Sequence, residues 1–128
     1  SIVDYKLWCF DGEPYVFVVF SNRKSGGEAE IACYDLQWKE RTDLLATDSK
    51  HYQVRKTPLP RPKGLKTMID YARQLAKPFP QVRVDMYDIE GKVYFGELTF
   101  TSLGGLMNYF TPQALADMGS KVDLNYMG

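Results

Sequence analysis

"VRVDMYDIEGKVYFGELTF", residues 82–100, decides how this chain is read. β-branched and aromatic residues dominate both sides of a Glu90-Gly91 centre, which predicts two strands joined by a tight turn. A three-residue loop with Gly91 in the left-handed bulge position pairs Asp88 with Lys92, so that paired residue numbers sum to 180. Arg83 then falls opposite Glu97, and Asp85 opposite Phe95. Asp85 and Glu97 become diagonal neighbours, roughly 7–8 Å apart, on one face that also carries Arg83 and Thr99.

The flanks extend this pattern. Upstream, Leu65, Met68, Ile69, Ala72, Leu75 and Ala76 form one apolar stripe at helical spacing, and Lys66, Asp70, Arg73 and Gln74 fall on the other side. This predicts a helix over 65–76, stopped by Pro78 and Pro80. The stripe reads as core packing. Downstream, Gly104-Gly105 precedes Thr111-Pro112, which opens a second helix with Thr as cap and Pro in the first turn. Residues 2–10 and 15–20 read as strands around an Asp11-Gly12 hairpin turn, with Pro14 at a strand start or an edge. A polar loop over 22–28 leads to a third strand over 29–35. Residues 36–62 are charged, lack periodicity and end in "TPLPRPKG"; they read as a long irregular connection wrapping the surface. Three strands, loop, helix, two strands, helix, without a βαβ repeat, predict an α+β fold with an antiparallel sheet.

The totals set bounds. The chain has 128 residues, enough for one domain, and is 45% hydrophobic, enough for a core. Sixteen basic residues balance sixteen acidic ones, which argues against a non-specific grip on nucleic acid. No apolar run reaches the length of a membrane span, and no stretch reads as a signal peptide. Cys9 and Cys33 lie in apolar runs without metal-site spacing, so they read as reduced, buried thiols of a cytoplasmic protein. The chain starts almost inside a strand and lacks an initiator Met, which suggests a single domain cut from a larger protein.

Two carboxylates on adjacent strands suit a hard divalent cation such as Mg²⁺, which takes oxygen ligands and lets phosphates and waters complete its shell. Arg83 on the same face could hold a phosphate or an anionic intermediate. The same residues also fit an ordinary cross-strand ion pair between Arg83 and Glu97, with Asp85 incidental. Glu97 sits in the apolar run "FGELTF", so it is expected to be half-buried and to need a partner.

Further motifs carry a resemblance: "DYKLWCFDG" (4–12), "YDLQWK" (34–39), "RPKGLKTMIDYARQLAKPFPQVRVDMYD" (61–88) and "GELTFTSLGGLMNYFTP" (96–112). The hairpin is similar to the distal metal-binding hairpin of ATP-grasp enzymes, D-alanine–D-alanine ligases among them. The closer resemblance, over about residues 2–118, is to the TupA-like ATP-grasp family of bacterial surface-polysaccharide clusters. It implies the C-terminal subdomain of an ATP-grasp fold, with the partner subdomain elsewhere and this piece inactive alone. It implies Asp85 and Glu97, with Thr99 where ligases have Asn, as ligands of Mg²⁺ or Mn²⁺ bridging ATP phosphates. Arg83 would contact the phosphate or acyl phosphate, and Lys39, with Lys6 from the first strand, would approach the nucleotide. The implied chemistry is activation of a small carboxylate by ATP to an acyl phosphate, then attack by an amine. Some such proteins are also labelled glycosyltransferases, which the residues neither support nor exclude.

A different class remains open: a non-catalytic interaction domain using Tyr5, Tyr15, Trp38 and Tyr109 as exposed aromatics for a protein or glycan. An open sheet edge would also allow self-association. His51 has no partner motif and reads as an exposed loop residue, and Ser102 has no base to activate it.

Overall fold

The computed structural model describes residues 3–21, 29–46, 52–100 and 110–121. The strands are β1 (Asp4–Phe10), β2 (Glu13–Ser21), β3 (Ala29–Tyr34), β4 (Tyr52–Val54), β5 (Gln81–Ile89) and β6 (Lys92–Thr99). The helices are α1 (Leu65–Ala76) and α2 (Pro112–Gly119), with a short 3₁₀ turn at Thr42–Leu44. The strands form one sheet in the order β4-β3-β2-β1-β5-β6. All pairs are antiparallel except β3 with β4, so the fold is α+β as the sequence predicts. The expected 22–28 loop, His51, Ser102, Gly104-Gly105 and Tyr109 lie outside the described residues. Among the described residues no helix is long and apolar enough to cross a membrane.

Each face of the sheet buries its own core. On one side the α1 stripe, through Leu65, Met68, Ala72 and Ala76, packs on Leu7, Cys9, Phe17, Val19, Val82, Val84 and Met86. On the other, Trp8, Phe10, Val16, Val18, Ile31 and Cys33 meet Leu44, Leu45, Phe110 and two α2 residues, Ala114 and Met118. Such alternation follows from the period-2 geometry of strands. Thr111 caps α2 as its sequence predicts, its Oγ1 accepting from Ala114 N at 3.1 Å.

Three expectations change. The segment 36–62 contains β4, which joins β3 in parallel; with only three residues it carries too little alternation to read from sequence. Tyr5 is buried and Tyr15 and Trp38 are partly buried, so they are core rather than exposed aromatics. Trp38 stacks on Tyr34 at 4.1 Å and donates from Nε1 to Leu59 O at 2.9 Å, while Leu59 N donates to Tyr34 OH at 2.8 Å. "YDLQW" therefore clamps the proline-rich segment onto the sheet. The third correction is the hairpin loop. It has two residues, Glu90 (φ 56°) and Gly91 (φ 89°), both in the left-handed region as a type I′ turn requires.

The start of α1 abuts that hairpin. Gly64 at its N-cap has no side chain to offer, and Asp88 of β5 substitutes, accepting from Gly64 N at 3.2 Å. A Cβ on Gly64 would lie 2.6 Å from Val93 Cγ2 and 3.0 Å from Asp88 Oδ1. Gly64→Ala is expected to lower unfolding free energy by about 1–3 kcal/mol. Val93→Ala in the same chain should restore part of it in denaturant titrations, and no restoration would remove the clash as the cause.

Both cysteines are free and buried. Burial pushes the Cys9 thiol up from 9.0 to about 12, with Glu13 adding and Arg73 opposing. Burial likewise raises Cys33. A thiol raised in the folded state binds its proton more tightly there than in the unfolded chain. Its contribution to stability is full below pH 9.0 and declines as pH rises towards 12. Denaturation midpoints should fall across that alkaline window, and less steeply in Cys9→Ala; equal slopes would contradict it.

Candidate functional site

β5 sits between β1 and β6, and the three strands lay out a small grid on the face opposite α1. In one row Lys6, Asp85 and Glu97 are direct neighbours; in the next, Trp8, Arg83 and Thr99. Period-2 alternation gives each row its common face. The register differs from the expected one in an informative way. Near the turn, Met86 pairs with Phe95 and Ile89 with Lys92, whereas Asp85 pairs with Glu97 and Arg83 with Thr99. A bulge between Asp85 and Met86 takes up the difference, and Gly96 is the extra residue. A Cβ there would come within 3.0 Å of Asp85 O and 3.2 Å of Tyr87 Cε2. Without the bulge the tight turn would pair Asp85 with Gly96 and turn Glu97 to the α1 side. With it, Glu97 and Thr99 join Asp85, and Leu98 goes to the core beside Val84.

Asp85 is the buried centre, its side chain only 4% exposed. Arg83 grips it with two bonds, Nε to Oδ1 at 2.7 Å and Nη2 to Oδ2 at 2.9 Å. Lys6 Nζ donates to Oδ2 at 3.0 Å and also lies 2.9 Å from Asp4 Oδ2. Arg83 Nη2 further donates to Thr99 Oγ1 at 3.2 Å, and its guanidinium lies 5.6 Å from the Trp8 ring centre. Taking an ionised carboxylate out of water costs several kcal/mol, and three charge-assisted bonds are what offsets it.

Glu97 differs from expectation. It is 68% exposed and only 4.0 Å from Arg83 Nη2, so it is neither half-buried nor tightly paired. The apolar run around it misled, because β6 is an edge strand whose Tyr94, Phe95 and the following Phe100 are themselves exposed. Lys6, Arg83, Asp85, Glu97 and Thr99 are thus brought together. Lys39 is not: it is exposed after β3, with β2 and β1 between that strand and β5. Asp4 joins the cluster although it was no candidate, and its signal was the Asp4, Lys6, Trp8 alternation along β1.

The donor set suits a hard cation. Asp85, Glu97 and Thr99 offer only oxygen. Within the cluster three carboxylates, Asp4, Asp85 and Glu97, face two cations, Lys6 and Arg83. Among the described residues Asp4 Oδ1 is buried without a hydrogen-bond partner, so the cluster holds a buried acceptor left unused by them. Among the described residues no three acidic, histidine or cysteine side chains converge as a complete protein cage. Mg²⁺ does not need one, since it keeps waters and takes phosphate oxygens.

Removing the Asp85 carboxylate takes the two-point partner from the largely buried Arg83 and leaves Lys6 to Asp4. Asp85→Ala should destabilise by about 3–5 kcal/mol, and Glu97→Ala by about 0–1 kcal/mol, in chemical denaturation. Similar losses at the two positions would refute the buried-centre description.

The chain was compared with known proteins. The family model for TupA-like ATPgrasp matches residues 1–121. No curated protein and no solved structure matches. With nearly its whole length covered by that model, the chain belongs to the TupA-like ATP-grasp family.

Proposed function

We propose that this chain forms the phosphate- and metal-handling part of an ATP-dependent carboxylate–amine ligase-like protein acting in the cytoplasm on cell-surface polysaccharide synthesis. What carries the reading is the grid of Lys6, Asp85 and Glu97 above Trp8, Arg83 and Thr99, in a member of an ATP-grasp family. Asp85, Glu97 and Thr99 would hold Mg²⁺ or Mn²⁺. Such an ion supplies charge neutralisation and in-line orientation to phosphate oxygens.

The chain's own residues do the positioning. Arg83 is held in place by Asp85, Thr99 and the Trp8 ring, so its charge is fixed in direction before any anion arrives. Pre-set charge of this kind is what phosphoryl transfer requires, since little covalent chemistry falls to the protein. In the reaction a carboxylate oxygen of the substrate takes the γ-phosphoryl group and ADP leaves. An amine then attacks the acyl carbon and phosphate leaves. Lys39 remains a proposed nucleotide contact through the similarity of "YDLQWK" to the ligase motif. The unit would be one subdomain of a larger ATP-grasp fold. Exposed Ile89, Tyr94, Phe95 and Phe100 along and beside the β6 edge favour a covering partner there.

Calorimetric titration of Mn²⁺, with and without ATP, tests the reading. Saturable binding that ATP strengthens is expected, with Asp85→Asn and Glu97→Gln each weakening it by about tenfold or more. Binding indifferent to both substitutions would leave an interaction domain as the better account.

A further inference from the structure

Lys6 is a cation already seated on Asp85. Its ammonium bridges two carboxylates, 3.0 Å from Asp85 Oδ2 and 2.9 Å from Asp4 Oδ2, and its side chain is only 14% exposed. Each carboxylate oxygen offers about two acceptor positions, and at Asp85 Oδ2 Arg83 Nη2 and Lys6 Nζ take both. An ion binding there competes with one of them. Arg83 is the costly one to move, held by a two-point fork, a hydroxyl and an indole face. Lys6 makes a single-point contact with Asp85 on a flexible stem, its Nζ 5.6 Å from the Phe20 ring centre, and a second seat is already within reach on Asp4, whose Oδ1 lacks a hydrogen-bond partner among the described residues.

We propose that Lys6 is a tethered competitor for the divalent ion at Asp85, with Asp4 as the seat to which it withdraws. The inference rests on the reading of the hairpin as a metal-holding site. It makes Lys6 a positioning residue rather than a nucleotide contact. With the ammonium in place, buried Asp85 stays neutralised when no ion is present. When an ion binds, its charge replaces that of the ammonium at Asp85, and the lysine moves to the carboxylate of Asp4 on its own strand. Asp4 then promotes ion binding without ligating the ion.

The test is Mn²⁺ titration of the wild-type chain, Lys6→Met, Asp4→Asn and the double variant, with folding checked by circular dichroism. Lys6→Met should tighten Mn²⁺ by about tenfold, through loss of the competitor. Asp4→Asn should weaken it by about tenfold in the wild type, because Lys6 loses its other seat. In the Lys6→Met background Asp4→Asn should change affinity by less than about twofold, since no lysine remains to be seated. Simple additivity of the two substitutions would make both mere background charges and overturn the proposal. A measurement on the unaltered chain guards against variants that fail to fold: the ¹⁵N signal of the Lys6 ammonium should shift on adding Mg²⁺, while that of Lys39 stays. A Lys6 signal that ignores saturating Mg²⁺ overturns the proposal. Loss of binding in Asp85→Asn and Glu97→Gln with no tightening in Lys6→Met removes the role of Lys6 and leaves the hairpin reading intact. Mn²⁺ binding untouched by the two carboxylate variants, or absent from every protein including Lys6→Met, removes both.

Discussion

A carboxylate buried in the middle of a sheet must find positive charge on its own face, and Asp85 finds it on both sides. Arg83 two residues away on β5 supplies a fork, and Lys6 on β1 supplies a point charge. Much of the local architecture follows. β1 and β5 must be neighbours in register for Lys6 to lie beside Asp85. Trp8, one pair along, must lie flat enough to carry the guanidinium. The bulge at Gly96 must bring Glu97 and Thr99 round to that face. A slip of one residue in β5 would send Asp85 into the α1 core, where Val82, Val84 and Met86 now lie, without a counter-charge.

The sheet therefore has two faces of unlike character. The α1 side is apolar throughout its centre. The α2 side is divided: Trp8, Phe10, Val16 and Val18 continue the apolar core, whereas Asp4, Lys6, Arg83 and Asp85 make a charged patch beside it. Trp8 is the boundary. Its ring and that of Phe110 make a T-shaped contact at 6.1 Å, and Arg83 lies over it at 5.6 Å. Its Nε1 is buried without an acceptor among the described residues. Charge placed against a rigid apolar wall is screened less by water than charge on an open surface, so the patch acts at greater strength than its residue count implies.

The sequence was most legible where periodicity was long. The α1 stripe matches the helix at both ends, and the Asp11-Gly12 turn and Thr111 cap hold as read. The hairpin was half legible. Residue sums of 180 and 182 have the same parity, so Arg83, Asp85, Glu97 and Thr99 were assigned to the right common face even though the partners were one pair out. What periodicity could not carry was the bulge, because a glycine within a strand marks a close approach as readily as a plain weak point. The exposure of Glu97 was hidden for another reason: an apolar run signals burial only if something covers the strand, and β6 lies at an edge. "YDLQWK" was visible as a motif, but its aromatic pair proves to be a clamp on the proline-rich segment, a contact between positions 21 and 25 residues apart that no local pattern encodes.

The charged grid also bears on why such a patch persists. Burying an ion pair rarely adds stability over a well-packed apolar set of the same volume. A fold needing only a core could therefore place leucine and valine at positions 6, 83 and 85 and extend the Trp8 cluster across β5. Retaining Asp85 there requires Arg83 and Lys6, and setting Glu97 beside it requires a register-shifting bulge with a glycine at position 96. A docking surface for a protein or glycan has no need of two carboxylates facing each other, one sunk and one in water. Chemistry that handles phosphate would: in the proposed reading the sunk carboxylate serves both an arginine and a cation, and the exposed one serves the cation alone. That division of labour between Asp85 and Glu97 is the strongest physical reason to read the hairpin as a site rather than as a surface.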